Sequence, residues 1–140
     1  MRILGIDYGR RRIGLAVSDE AGFLARPLDP HLRTRSLRKD LEHLSRLARE
    51  FEVETIVVGL PLNMDGSKGE MALEVESFVS QLQELSKIAV IVSDERLTSV
   101  EAERVLLEGN VKRKDRKQLR DGLAATLILQ GYLDSQAYSD

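Results

Sequence analysis

Three short apolar runs crowd into the first 28 residues, whereas each of the two later runs follows a stretch long enough for a helix. Arg2-Ile-Leu-Gly-Ile-Asp7, Ile13-Gly-Leu-Ala-Val-Ser18 and the segment from Phe23 to Leu28 are strand-like, and their tight spacing favours antiparallel hairpins. Thr55-Ile-Val-Val-Gly59 and Ile88-Ala-Val-Ile-Val92 are continuous apolar runs of the kind that parallel strands buried on both faces require. The stretch from Ser36 to Phe51 carries Leu37, Leu41, Leu44, Leu47 and Phe51 at helical spacing. A second helix is expected from Glu70 to Leu85, with Val75, Phe78, Val79 and Leu82 inward. Thr98-Ser-Val-Glu101 matches a capping box that opens a third helix, which Gly109 can end. After a basic loop, a last helix is expected over residues 118 to 133, with Leu119, Leu123, Leu127 and Ile128 inward. The order βββαβαβαα predicts an α/β fold: a mixed five-stranded sheet, three antiparallel strands then two parallel ones, with helices on both faces. No linker, repeat or low-complexity stretch divides the 140 residues, so a single domain over 1–140 is expected, burying about two-thirds of its extended surface.

Composition removes several kinds of chemistry. The chain has no cysteine, which excludes disulfides, thiolate catalysis and Cys-ligated zinc or iron–sulfur centres. No apolar run approaches the roughly 18 residues of a membrane span, and no signal-peptide pattern opens the chain, so a cytoplasmic protein without a membrane partner is expected. A net charge of −2 argues at first against nucleic acid. The placement of charge argues otherwise. Arg10, Arg11 and Arg12 form one basic group, and Arg33, Arg35, Arg38 and Lys39 a second. Lys112, Arg113, Lys114, Arg116, Lys117 and Arg120 form a third, so three short segments hold 13 of the 21 basic residues. Each alone is an ordinary solvated turn or helix end; together they outline a polyanion footprint.

Three carboxylates fall where the predicted topology has an edge. Asp7 ends the first strand, Glu95 follows the last strand beside Asp94, and Asp121 lies near the start of the last helix. Singly, these residues suit a turn cap, a loop ion pair and a helix-dipole partner. With the first, fourth and fifth strands as parallel neighbours, Asp7 and Glu95 share the carboxyl-end rim where α/β sheets place their sites, and the last helix can bring Asp121 to them. Two carboxylates about 4 Å apart repel by roughly 4 kcal/mol at an effective dielectric near 20, so such a cluster takes up protons or a cation. Hard oxygen donors with no His or Cys beside them point to Mg²⁺ or Mn²⁺; His31, expected in a loop, and His43, expected on a helix, stand away from this rim. Divalent ions between basic patches suit phosphodiester hydrolysis, in which metal ions activate a water and stabilise the leaving oxygen.

Asp7-Tyr-Gly-Arg-Arg-Arg-Ile-Gly-Leu-Ala-Val-Ser-Asp19, Val58-Gly-Leu-Pro-Leu-Asn-Met-Asp-Gly-Ser67, Asp94-Glu-Arg-Leu-Thr-Ser-Val-Glu-Ala102 and Asp121-Gly-Leu-Ala-Ala-Thr-Leu-Ile-Leu-Gln130 resemble, in order and over nearly the whole chain, the four blocks of the YqgF/RuvX family. That family is described as pre-16S rRNA nucleases related to RuvC-type Holliday junction resolvases, with a ribonuclease H-like fold. The resemblance implies that Asp7, Glu95 and Asp121 are the catalytic metal ligands for Mg²⁺ or Mn²⁺. It also implies endonucleolytic cleavage at the 5′ end of pre-16S rRNA, in the setting of a ribosomal precursor particle. One position departs: resolvases carry an acidic residue or His one turn before the final Asp, where this chain has Gln118, so a second ion is expected only with substrate.

Substrate contacts are expected from Arg10, Arg11, Arg12, Lys112, Arg113 and Lys114. Asn63, Asp65 and Ser67 either hold substrate backbone or form an ordinary Asp-Gly turn. Arg96 either reaches the scissile phosphate or pairs with Asp94, and Thr98 and Ser99 suit helix caps. A junction resolvase acting on branched DNA and a non-catalytic RNA-binding assembly factor remain alternatives. A sugar kinase needs a second phosphate loop and an adenosine-binding half that 140 residues cannot supply. An aromatic content of 4% argues against a single-strand binder built on base stacking.

Overall fold

A computed structural model describes the backbone of residues 1–95 and 113–137 and the side chains of 1–95 and 122–137. The strands are β1 (Arg2–Asp7), β2 (Arg12–Ser18), β3 (Ala25–Leu32), β4 (Val53–Leu60) and β5 (Ala89–Asp94), and the described helices are α1 (Leu37–Glu50), α2 (Glu70–Ser86) and α3 (Arg113–Ala137). They form one five-stranded sheet in the order β3-β2-β1-β4-β5. β1–β2 and β2–β3 are antiparallel, and β1–β4 and β4–β5 are parallel, as the spacing of the apolar runs requires. The helix expected from Thr98 to Gly109 lies outside the described residues.

Alternation along the strands divides the core in two. Leu4 and Ile6 of β1, Leu15 and Val17 of β2, and Ile56 and Val58 of β4 pack against Leu41 and Leu44 of α1 and Val75, Phe78 and Leu82 of α2. Ala16, with Ile3 and Ala25 beside it, faces Ala125, Leu129 and Leu133 of α3 on the other side. Helices therefore cover both faces. Ser36 caps α1, its side chain accepting from the Lys39 N–H at 3.2 Å. Among the described residues, no helix is long and apolar enough to cross a membrane.

Three local expectations change. The third strand runs Ala25–Leu32, not Phe23 to Leu28, and passes through Pro27 and Pro30. β3 is an edge strand, with β2 as its one neighbour, and an edge tolerates prolines because one row of N–H groups has no ladder partner. His31 consequently lies on β3 rather than in a loop, with its ring stacked at 4.3 Å on His43 of α1. The last helix begins at Arg113, five residues before the expected start, so Arg113 and Lys114 are helical and not part of a loop. Arg, Lys and Gln are good helix formers and no Gly or Pro interrupts residues 113–121. Its buried stripe is Ala124, Ala125, Ile128, Leu129 and Leu133, with Leu123 and Leu127 only half-buried. Small residues face the sheet because the helix lies close to it: a Cβ on Gly5 would stand 2.7 Å from the Leu129 Cβ and 3.1 Å from the Ala125 carbonyl oxygen.

Candidate active site

The carboxyl ends of β1, β4 and β5 form one rim, since these three strands are parallel. Antiparallel pairing brings the start of β2 and the end of β3 to the same rim. Asp7, the last residue of β1, shares the α3 face with Gly5. Its antiparallel partner is Gly14. The β1–β4 register pairs Ile6 with Val58, so one residue further Asp7 stands beside Gly59. Neither neighbour places a side chain next to the Asp7 carboxylate.

Glu95 leaves the end of β5, its N–H donating to the Leu60 carbonyl at 3.2 Å. Its side chain then folds over β4: an Oε2 lies 2.5 Å from where a Cβ on Gly59 would be. Burial, followed by the negative charges of Asp7 and Asp94, pushes the Glu95 carboxyl up to about 8. The structure thus brings Asp7 and Glu95 into one electrostatic unit with Asp94. Asp121 lies on α3, four residues before Ala125 and eight before Leu129, both buried against the sheet; its side chain is outside the described residues. Among the described residues, no group of three carboxylate, His or Cys side chains forms a metal cage. The oxygen donors of Asp7 and Glu95 nevertheless fit a hard dication, because a cation between them would favour the ionised Glu95 that burial and the Asp7 charge disfavour.

The expected substrate-binding residues divide. Arg10 follows β1, but Glu74 of α2 holds it, accepting from Nε at 3.2 Å and Nη2 at 3.1 Å, with Glu70 at 3.9 Å. Arg11 is exposed in the same turn and Arg12 begins β2. Asn63, Asp65 and Ser67 all lie in the loop after β4 and bind one another. The Asn63 N–H donates to the Ser67 carbonyl at 2.9 Å, Asn63 Nδ2 to Ser67 Oγ at 3.0 Å, and the Ser67 N–H and Oγ to Asp65 Oδ1 at 2.9 and 2.5 Å. These bonds shape a turn with Gly66 at φ 87°. Arg96 and Lys112 lie outside the described residues, and Arg113 and Lys114 are the first two residues of α3.

Sequence reasoning missed a buried polar chain behind the Asp7 turn. Asp40, 0% exposed, accepts from the Thr34 N–H at 2.9 Å, Thr34 Oγ1 at 3.1 Å and Arg33 Nε at 3.1 Å, and His31 Nε2 lies 2.9 Å from the same carboxylate. Arg33 Nη1 donates onward to Tyr8 Oη at 3.0 Å and to the Gly9 carbonyl at 3.2 Å, and Tyr8 Oη donates to Glu74 at 2.5 Å. The turn immediately after Asp7 is thereby tied to both α1 and α2. Its signal in the sequence is Asp40 itself, a charged residue on the inward stripe of α1 between Leu37 and Leu44.

The RuvX family model, described as Holliday junction resolvase, matches residues 1–135. A protein of Syntrophomonas wolfei subsp. wolfei described as "Putative pre-16S rRNA nuclease" is 53% identical over 134 residues, covering 96% of this chain and 94% of its own length. A Halothermothrix orenii protein with the same description is 49% identical over 136 residues, covering 97% of this chain and 96% of its own. Thermus thermophilus RuvC, solved with a Holliday junction substrate, superposes with a TM-score of 0.61 over 98% of this chain and 96% of its own at 20% sequence identity, which shows the shared ribonuclease H-like fold. The chain belongs to the RuvX family.

Proposed function

We propose that this protein is a divalent-metal-dependent endonuclease that cuts structured RNA, processing the 5′ end of pre-16S rRNA within a ribosomal precursor particle. The observation that carries this reading is the convergence of Asp7 and Glu95 across Gly59 at the carboxyl-end rim. The names of the S. wolfei and H. orenii relatives support the RNA substrate. Asp7 and Glu95, with Asp121 of α3, would hold Mg²⁺ or Mn²⁺. When bound, that ion supplies Lewis-acid stabilisation of the phosphoryl oxygens and lowers the pKa of the attacking water.

The chain's own residues prepare the site. Gly59 admits the Glu95 carboxyl, and burial of that carboxyl raises the strength of every charge interaction around it. The Asp40–Arg33–Tyr8 chain fixes the turn on which Asp7 ends, so the carboxylate is oriented before substrate arrives. Arg11, Arg12, Arg113 and Lys114 offer positive charge to the phosphates, and Lys112 and Arg96 belong to the same proposal. Arg10, held by Glu74, contributes by anchoring the turn to α2. Asn63, Asp65 and Ser67 keep the loop after β4 shaped at the rim.

Cleavage of a precursor-rRNA fragment and of a four-way DNA junction, each with Mg²⁺, Mn²⁺ or chelator, tests the reading. Cleavage of the RNA with either ion, to 5′-phosphate and 3′-hydroxyl ends and not with chelator, is expected. Intact RNA beside a cut junction would make the substrate branched DNA. RNA binding without cleavage of either would make the protein a non-catalytic assembly factor.

A further inference from the structure

Two basic segments more than 20 positions apart in the sequence meet beside the Asp7 turn. The Arg33 N–H donates to the Arg11 carbonyl at 3.0 Å, and Arg12 pairs with Leu32 across β2 and β3. The charges gathered there have unequal fates. Arg10 is held by Glu74 and Glu70, Arg33 by Asp40, and Arg38 by Glu42 at 3.0 Å. Arg11, Arg35 and Lys39 are exposed and make no ion pair with a described carboxylate. They run from the turn after β1 to the first turn of α1, on the β2–β3 side of Asp7, away from Glu95.

Among the described residues, the same surface offers no stacking platform. The Tyr8 ring is packed at 4.8 Å against Phe78 and its hydroxyl is engaged by Glu74 and Arg33. Phe51 lies at the far end of α1, and Phe23 stands in the β2–β3 hairpin at the opposite end of the sheet. Unpaired cations on flexible stems, without aromatic faces among them, recognise phosphates rather than bases. The Arg33–Arg11 backbone bond keeps Arg11 and the segment leading to Arg35 at the rim on which Asp7 ends, and Lys39 continues this run onto α1, in the helix layer opposite α3.

We propose that Arg11, Arg35 and Lys39 form a phosphate-binding strip that seats the sugar–phosphate backbone of a double-helical flank of the substrate beside the cleavage site. The strip rests on the nucleic-acid reading above and extends it from Arg11 to Arg35 and Lys39. It also separates the second basic group into one buried strut, Arg33, one surface pair, Arg38 with Glu42, and two phosphate ligands.

The test measures binding without catalysis. Full-length protein in chelator is titrated against a labelled RNA stem–loop of about 20 base pairs at KCl concentrations between about 50 and 300 mM. Arg35→Glu with Lys39→Glu should lower the magnitude of the salt slope by about two and weaken binding about tenfold or more near 100 mM. Arg46→Glu with Arg49→Glu makes the same change in net charge on exposed positions toward the other end of α1, and should leave the slope nearly unchanged. Arg35→Ala with Lys39→Ala, checked by thermal melting, guards against a folding defect and should give the same direction.

An unchanged slope in the strip variants overturns the proposal, as does an equal change in the Arg46 and Arg49 control. Loss of binding to an acidic polypeptide such as polyglutamate, with RNA binding intact, would also overturn it and point to a protein partner. Wild-type protein that binds neither RNA nor DNA overturns the functional reading and the strip together. Wild-type binding with an unaltered variant slope removes the strip alone.

Discussion

The Glu95 carboxyl lies over Gly59, with Oε2 2.5 Å from the position a Cβ on that glycine would take. Ile128 Cδ1 of α3 stands 2.6 Å from the same point. Glycine here makes room for a carboxylate and for a helix at once.

Gly59→Ala should therefore displace Glu95, Ile128 or both. Overpacking of this kind costs about 1–3 kcal/mol. Urea unfolding should show that loss, and cleavage by the still-folded variant should fall at least about tenfold. Full cleavage in a folded Gly59→Ala protein would mean that Glu95 does not need its place over β4.

The carboxylates themselves make a sharper separation between binding and chemistry. Asp7→Asn, Glu95→Gln and Asp121→Asn should each abolish cleavage while RNA affinity stays within about threefold, because the lost interaction acts in the transition state. Filter binding and gel cleavage assays on the same preparations check this. Wild-type turnover in any one variant removes that residue from the mechanism.

Much of this arrangement is legible from residue spacing. A crowded hairpin region followed by two strand–helix crossovers gives the sheet order, and the order places Asp7 and Glu95 on one rim. What spacing does not reveal is long-range polar pairing. Nothing local announces that Glu74 pairs with both Arg10 and Tyr8 across more than 60 positions. Pro27 and Pro30 obscure the length of β3 because a proline's tolerance depends on whether its strand lies at an edge, a property of the whole sheet. The charged start of α3 misleads for a related reason: in residues 113–121 helix propensity acts without an apolar stripe in the sequence to mark the helix.

Charge crowding at the rim predicts a stabilising effect of divalent ions. Asp7, Asp94 and Glu95 interact unfavourably in the ion-free protein. Binding to the native state at tenfold excess over Kd adds about 1.4 kcal/mol, or roughly 5 °C in Tm for a chain of this size. Millimolar Mg²⁺ should produce a shift of that order, and Asp7→Asn should shrink it. A melting temperature independent of Mg²⁺ in the wild-type protein would count against the clustered carboxylates as an ion site.

The polar chain behind Asp7 predicts a distinct acid sensitivity. Burial by itself would raise the Asp40 carboxyl, but the hydrogen bond from the Thr34 N–H, with those from His31, Arg33 and the Thr34 hydroxyl, outweighs it and holds Asp40 below the usual carboxylate range. A lowered native pKa stabilises the fold above the unfolded value near 3.8, and that contribution is lost as pH falls through the native value. Unfolding free energy should therefore drop below about pH 4 by more in the wild-type protein than in Asp40→Asn. At neutral pH, where that contribution is intact, Asp40→Asn leaves the largely buried Arg33 without its counter-charge and should lose about 3 kcal/mol. Denaturant titrations at pH 7 and pH 3 on both proteins distinguish the two terms. Parallel pH profiles would show that the Asp40 charge is not what ties α1 to the Asp7 turn, and the strut through Arg33 and Tyr8 would then act by packing alone.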